Sequence, residues 1–343
     1  MPRAMSKGHA PSRPPGGQPE DESDADRAFE ELDTVVTEKP SATPRSFTVI
    51  ADRYRIEARL GGGAMGDVWR AHDITTGRDV AIKIMRETVD PEISARFHRE
   101  ARVLSRLHHP SVLAIWDYGT DPRPYVVMEL LEGEDLEALL RREERLPLDW
   151  ATQIFGQVCE GLQSVHEAGI IHRDVKPANI FCMGSGAVKL VDFGLAKRPH
   201  RFVNKPVDLT DGTTMEAPLT KRGNVLGTIR YISPEQLSRT DIDYRSDLWS
   251  AAVVLYRMLT GQHAFSGLSD IDIMVSIVRG SPPVPSRDVK DFPYRLAAML
   301  DNFFVRALQR DPQNRFGSAA EMAHALATIA WQAGMGPGPP RSG

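Results

Sequence analysis

The chain has 343 residues, 42 of them basic and 46 acidic, for a formal net charge of −4, and 41% of it is hydrophobic. That apolar content supports a packed core, and the length suggests about two lobes or domains. The near-neutral balance offers no global attraction to nucleic acid or to an anionic membrane. No run of about 18 apolar residues proposes a membrane span, and the two cysteines, Cys159 and Cys182, are too few for a disulfide scaffold. Both lie in apolar stretches and read as small core residues in a reducing compartment.

In chain order, residues 1–47 are rich in Pro, Gly and Ser and contain the block Glu20–Asp33, in which eight of fourteen residues are acidic. Such a stretch cannot bury enough apolar surface to offset its ordering entropy, so it reads as a disordered tail. The N-terminus lacks the apolar segment of a signal peptide, which makes the cytoplasm the expected location. Residues 54–130 carry short alternating segments, YRIEARL, DVWRAHD, DVAIKIM and YVVMEL, with turn residues between them. One helix interrupts these strands at Pro91–Leu107, where Ile93, Phe97, Leu104 and Leu107 recur at a helical period. Beyond residue 132 helical patterns dominate. Leu148–Ala168 places Trp150, Ile154, Val158, Leu162 and Val165 on one face, and Ser246–Leu259, Tyr294–Leu308 and Ser318–Ile329 follow. A small strand-rich part before a larger helical part describes an α+β fold of two lobes, about 48–131 and 132–333, with 334–343 as a flexible tail.

Three constellations carry chemistry. The first is Leu60-Gly61-Gly62-Gly63-Ala64-Met65-Gly66-Asp67-Val68, a G-x-G-x-x-G-x-V pattern whose glycines let backbone approach a phosphate closely. It continues into a strand pair instead of a helix, which favours a hairpin lid over a nucleotide to a dinucleotide-binding turn. In the second, Lys83 stands within the apolar strand VAIKIM, where an unpaired ammonium is costly. Glu100, three residues after Phe97 and four before Leu104, offers a carboxylate on the apolar side of the helix and is the expected partner. The third is Ile171-His172-Arg173-Asp174-Val175-Lys176-Pro177-Ala178-Asn179-Ile180, followed by Val191-Asp192-Phe193-Gly194. Pro177 argues for a loop, and Asp174, Asn179 and Asp192 supply oxygen donors that suit Mg²⁺ and can position a hydroxyl. Phosphoryl transfer asks for little beyond positioning and charge neutralisation.

Gly61, Gly63 and Gly66, Lys83 in VAIK, Glu100, HRDVKPAN at 172–179, DFG at 192–194, Ser233-Pro234-Glu235 and Asp247-Leu248-Trp249-Ser250 stand in one order at compatible spacings. In these motifs the chain resembles a eukaryotic-like, bacterial-type serine/threonine protein kinase over about Tyr54 to Trp331. The resemblance implies a bilobal fold, with an antiparallel-sheet small lobe carrying one long helix and a larger helical lobe. It implies ATP and Mg²⁺ as cofactors, with Mn²⁺ as a substitute, and proteins with Ser or Thr acceptors as substrates. Lys83 would hold the α- and β-phosphates and pair with Glu100. Asp174 would accept the hydroxyl proton, Lys176 would contact the γ-phosphate, and Asn179 and Asp192 would hold metal. Leu60 to Gly66 would form the lid over ATP. Met128 matches the gatekeeper, the backbones of Glu129 and Leu131 would meet adenine, Asp135 falls where a ribose contact is expected, and Val68, Ala81 and Phe181 would sandwich the base. Leu104, Ile115, His172 and Phe193 match a stacked spine joining the lobes, so His172 reads as structural. Glu235 should pair with Arg315.

The same resemblance gives the long segment from Asp192 to Glu235 a regulatory reading. Arg173 and Lys197 are cations suited to a phosphorylated residue, with Arg96 as a further ligand. Thr220 is the expected autophosphorylation site among Thr210, Thr213, Thr214 and Thr220, while Thr228 is the substrate-platform threonine. A homodimer through the small lobe is expected by analogy alone. Two other readings fit parts of the pattern. A catalytically silent pseudokinase scaffold is disfavoured by the presence of every key residue, and a small-molecule kinase of related fold by the activation segment, the SPE stretch and Asp247–Ser250.

Overall fold

The computed structural model describes residues 49–62, 66–86, 91–193, 229–238 and 240–334, the side chains of 91–96 excepted. Alternating sequence builds the first lobe. Strands β1 (Val49–Ile50), β2 (Tyr54–Gly62), β3 (Gly66–Asp73), β4 (Arg78–Met85), β5 (Ile115–Gly119) and β6 (Tyr125–Glu129) form an antiparallel sheet in the order β1-β2-β3-β4-β6-β5. Along β4 the period of two sends Val80, Ile82 and Ile84 to one face, where they pack with Tyr54, Trp69 and Val127 in a core of their own. Ala81, Lys83 and Met85 take the other face, and Met85 joins the core shared with the helix and the second lobe. That helix, α1 (Pro91–Leu104), starts on a proline and buries Phe97, Ala101 and Leu104. It stops three residues before the expected Leu107. Arg106 and Leu107 close tight turns onto the Val103 and Leu104 carbonyls, and Pro110 follows, which disfavours helix at His109.

The second lobe begins with a small sheet, β7 (Gly133–Asp135), β8 (Ile180–Met183) and β9 (Val188–Leu190), in that order. Gly133, at φ 149°, lies so close to β8 that a Cβ there would strike the Cys182 carbonyl. The helices are α2 (Leu136–Glu143), α3 (Leu148–Glu167), α4 (Pro234–Ser238), α5 (Arg245–Thr260), α6 (Asp270–Arg279), α7 (Pro285–Asp288), α8 (Tyr294–Ala307) and α9 (Ala319–Gln332). The periodicity located α3 to within a residue of its end, and Ile154, Val158, Leu162 and Val165 are buried as expected. Trp150 is not on that face. It is 37% exposed, because the buried stripe runs through Leu148, Ala151 and Phe155, one position further round the first turn. Helix α5 is buried at every position from Ser246 to Thr260 except Arg257, which makes it the axis of the lobe. Helix α9 packs along α3 and is capped by Ser318, whose hydroxyl accepts from the Glu321 N–H.

Cys159 is buried and Cys182 half-buried, neither in a disulfide, and burial pushes the Cys182 thiol up to about 12. No helix among the described residues is long and apolar enough to cross a membrane. The segment 1–47, and Gly63, Ala64, Met65, Lys197, Thr210, Thr213, Thr214, Thr220 and Thr228, lie outside the described residues, as does the side chain of Arg96.

Candidate active site

The loop between α3 and β8 is shaped from below by one carboxylate. Asp247, 1% exposed in the first turn of α5, accepts from the His172 N–H at Oδ2 and the Arg173 N–H at Oδ1, each at 2.8 Å. Its Oδ2 also lies 2.8 Å from His166 Nε2. Gln236 adds a hydrogen bond from Nε2 to the Arg173 carbonyl at 3.1 Å. These contacts hold Arg173 at φ 65°, a backbone conformation a side chain disfavours, and so turn the chain at Asp174. Pro177 then starts a single 3₁₀ turn, Pro177–Asn179, that brings Asn179 back over Asp174. Asn179 Nδ2 donates to the Asp174 carbonyl at 2.8 Å and to Asp174 Oδ2 at 2.7 Å, and Lys176 Nζ lies 3.7 Å from the same oxygen. Asp174 and Asn179 are both buried. Orienting the carboxylate in this way leaves Asn179 Oδ1 as an oxygen donor for a hard cation.

Strand β9 delivers the second loop. Val191 N–H donates to the Asn179 carbonyl at 3.0 Å, which ties the two loops together. Asp192 follows at φ 51°, and its Oδ1 is 2.6 Å from Lys83 Nζ. The small-lobe lysine and the carboxylate after β9, 109 residues apart, therefore share one site. The ion pair described for Lys83 is this one, where the sequence suggested Glu100. Glu100 stands half-buried on α1 beside Phe97. His172 is fully buried, its Nε2 3.1 Å from the Val191 carbonyl and its ring 4.5 Å from that of Phe193. Burial holds its pKa below the ordinary imidazole value, which suits a structural role. Leu104 and Ile115 are buried in the same core as Phe193.

The residues expected around adenine lie on the strands of the two sheets. Gly61 pairs with Val68 and Gly62 with Asp67, so Leu60–Gly62 and Gly66–Val68 form the two arms of a hairpin. Val68 lies opposite Lys83, and Ala81 opposite Met128. The glycines here also serve the sheet itself, because a Cβ on Gly66 would strike the Ile84 carbonyl. Phe181 is buried on β8, across from Asp135. Asp135, the expected ribose contact, also has a structural part. Its carboxylate is 3% exposed and caps α2, accepting from the Ala138 N–H at 2.7 Å, and burial raises its pKa. Glu129 ends β6 and Leu131 follows two residues later, and the Glu129 side chain turns inward to contacts the sequence does not reveal.

The family model of the protein kinase domain matches residues 54–327. The chain belongs to the protein kinase domain family. It is 39% identical over 282 residues to a probable serine/threonine-protein kinase of Corynebacterium efficiens, covering 80% of this chain and 41% of that protein. It is 38% identical over 280 residues to serine/threonine-protein kinase PknB of Mycobacterium leprae, covering 80% and 42%. Against PknB of Mycobacterium tuberculosis it is 36% identical over 287 residues, covering 82% and 43%. The chain thus spans about two fifths of the length of these curated relatives. Kinase membership implies use of ATP and a divalent metal, and the oxygen donors of Asn179 and Asp192 with the Lys83 ammonium form a set that suits both.

The stretch Ser233-Pro234-Glu235 is anchored by a buried ion pair. Glu235 receives two 2.7 Å hydrogen bonds from Arg315 and one, also 2.7 Å, from the Ser246 hydroxyl. Arg315 further donates to the carbonyls of Gln309, Arg245 and Arg310, and its guanidinium lies 4.9 Å from the Trp249 ring. Burial alone would push the Glu235 carboxyl up, but these donors outweigh it and hold it below its ordinary value.

Proposed function

We propose that this chain transfers the γ-phosphate of Mg-ATP to serine and threonine hydroxyls of protein substrates. The reading is carried by the Lys83–Asp192 contact, which joins the two lobes at a site where Asp174, Lys176 and Asn179 also converge. Bound Mg-ATP supplies the transferable phosphoryl group and much of the charge neutralisation. Lys83 holds phosphate oxygens, with Glu100 as its partner when the nucleotide site is engaged, and Asn179 and Asp192 hold metal. Asp174, fixed by Asn179 Nδ2, accepts the proton released by the acceptor hydroxyl. Lys176, 3.7 Å from that carboxylate, balances charge on the group in transfer. The side chains of Val68, Ala81, Met128 and Phe181 take the adenine, with the Glu129 and Leu131 backbones supplying its polar partners, and Leu60 to Gly66 covers the phosphates.

Regulation follows the same chemistry. Arg173 and Lys197 receive phosphorylated Thr220 and order the activation segment, and Thr228 positions the acceptor beside Asp174 and Lys176. The small lobe pairs two copies for transfer in trans, and the cytoplasm is the working compartment. Incubating the full chain with Mg²⁺, γ-labelled ATP and a basic test protein, followed by phosphoamino acid analysis, tests the reading. Label on serine and threonine is expected, and label on tyrosine alone, or on no residue, would reject it. Mn²⁺ in place of Mg²⁺ is expected to support transfer. Phosphopeptide mapping is expected to find Thr220, and phosphate confined to Thr210–Thr214 would reject that assignment.

A further inference from the structure

The connection between α1 and β5 is gripped from two sides. On one, Leu190 N–H donates to the Ser111 carbonyl at 2.9 Å and Leu113 N–H to the Leu190 carbonyl at 3.0 Å, so Val112 and β9 form a short parallel bridge. On the other, Glu129 N–H donates to the Ala114 carbonyl at 3.1 Å, and Ala114 N–H donates to Glu129 Oε1 at 2.7 Å. Lys189 closes the ring. Its ammonium is 2.8 Å from Glu129 Oε1 and 3.4 Å from the Val112 carbonyl, and the Lys189 and Glu129 side chains are only 13% and 19% exposed.

The position of this pair in the fold gives it a consequence. Glu129 ends β6, where the adenine pocket closes, and Lys189 lies on β9, three residues before Asp192. Neither side chain has a part in the chemistry described above, where Glu129 enters through its backbone alone. An exposed pair would contribute little, but here a largely desolvated lysine donates to a carboxylate oxygen that also accepts from the Ala114 N–H, so the two hold each other firmly and either one alone is costly.

We propose that Glu129 and Lys189 are positioning residues, a clasp that fixes the strand carrying Asp192 against the nucleotide end of β6. The two ends of the nucleotide are thereby held in register, one at the Glu129 and Leu131 backbones and the other at the loop carrying Asp192. The kinetic consequence rests on the kinase reading, whereas the structural coupling does not.

The test uses the full chain with Lys189→Met, Glu129→Gln, the double variant, and Lys189→Arg. Lys189→Met and Glu129→Gln are each expected to raise KM for ATP about five- to ten-fold while lowering kcat less than about three-fold. The double variant is expected to be no worse than either single one, because the two act as a unit. Lys189→Arg is expected to recover KM to within about two-fold. Hydrogen exchange of the 111–114 and 190–192 amides, measured without nucleotide, should quicken about ten-fold in every variant except Lys189→Arg. Wild-type KM and exchange in Lys189→Met, additive single effects, or a raised kcat showing that the pair restrains the enzyme would each overturn the proposal. A wild-type chain that transfers no phosphate would overturn the kinase reading instead, and the exchange measurement would then decide the clasp.

Discussion

Replacing Arg315 by methionine keeps much of the side chain's apolar length and removes its charge and all five of its described hydrogen bonds. Two of these go to Glu235 and one each to the carbonyls of Gln309, Arg245 and Arg310. Glu235, 5% exposed, would keep the Ser246 hydroxyl as its described side-chain donor, and three carbonyls would lose a partner inside the lobe. Breaking one side of a buried ion pair costs about 3–5 kcal/mol. For a domain of this size each kcal/mol moves Tm by about 2–4 °C, so scanning calorimetry at pH 7 should find Tm lowered by about 6–20 °C. Two further variants separate charge from packing. Arg315→Lys should recover only part of the loss, because an ammonium cannot reproduce the two-pronged contact with Glu235. Pairing Arg315→Met with Glu235→Gln should be milder than Arg315→Met alone, since the uncompensated charge is gone. A Tm within about 2 °C of wild type for Arg315→Met, or a double variant worse than the sum of the singles, would refute this reasoning.

Other outcomes follow from the same geometry. Asp247→Asn keeps the shape but offers a single acceptor oxygen to three donors. It should cost about 2–4 kcal/mol in urea unfolding and slow phosphoryl transfer at least ten-fold, because the turn at Arg173 loses its tether, and unchanged kcat would contradict that role. His172, held below the ordinary imidazole value by burial, and His263, lowered to about 3 by burial and then by Arg257 and Arg230, stay neutral in the folded chain. The unfolded chain therefore binds more protons below about pH 6.5. Stability should be fully present above that pH and fall as pH drops toward 3, by about 1.4 kcal/mol per pH unit for His263, with His172 acting in the same direction. His263→Gln should reduce that slope, and an identical slope would contradict the assignment. Gly133→Ala should destabilise by about 1–3 kcal/mol, since the added methyl meets the Cys182 carbonyl at a φ of 149°, and a neutral effect on Tm would show that β7 can retreat.

The parts of the site that were readable from sequence are those whose chemistry depends on residues close together in the chain. Asp174 and Asn179 with Pro177 between them predicted a loop, and the 3₁₀ turn at 177–179 is what that spacing produces. Helices α3, α8 and α9 were readable from periodicity, because each buries one stripe, and α5, buried almost all round, from its long apolar run. What escaped depends on partners brought in by topology. Asp135 carries the same carboxylate with or without a helix behind it, and its cap on Ala138 follows only from the start of α2 at Leu136. Trp150 has the spacing of a core residue, yet a stripe shifted by one position leaves it in solvent. Lys189 in AVKLV looks like any strand lysine, and its meeting with Glu129 is set by the way β9 runs beside residues 111–114. Asp247 belonged to a recognised motif, but its grip on the His172 and Arg173 amides needed α5 placed beneath the loop.

The decisive measurement is the single-turnover rate of phosphoryl transfer by the Asp174→Asn variant, taken beside its affinity for Mg-ATP. If Asp174 accepts the hydroxyl proton at a site assembled from Lys83, Asn179 and Asp192, nucleotide affinity should stay within about two-fold of wild type while the rate falls by about 10²- to 10⁴-fold. Transfer at the wild-type rate by Asp174→Asn would exclude Asp174 as the proton acceptor.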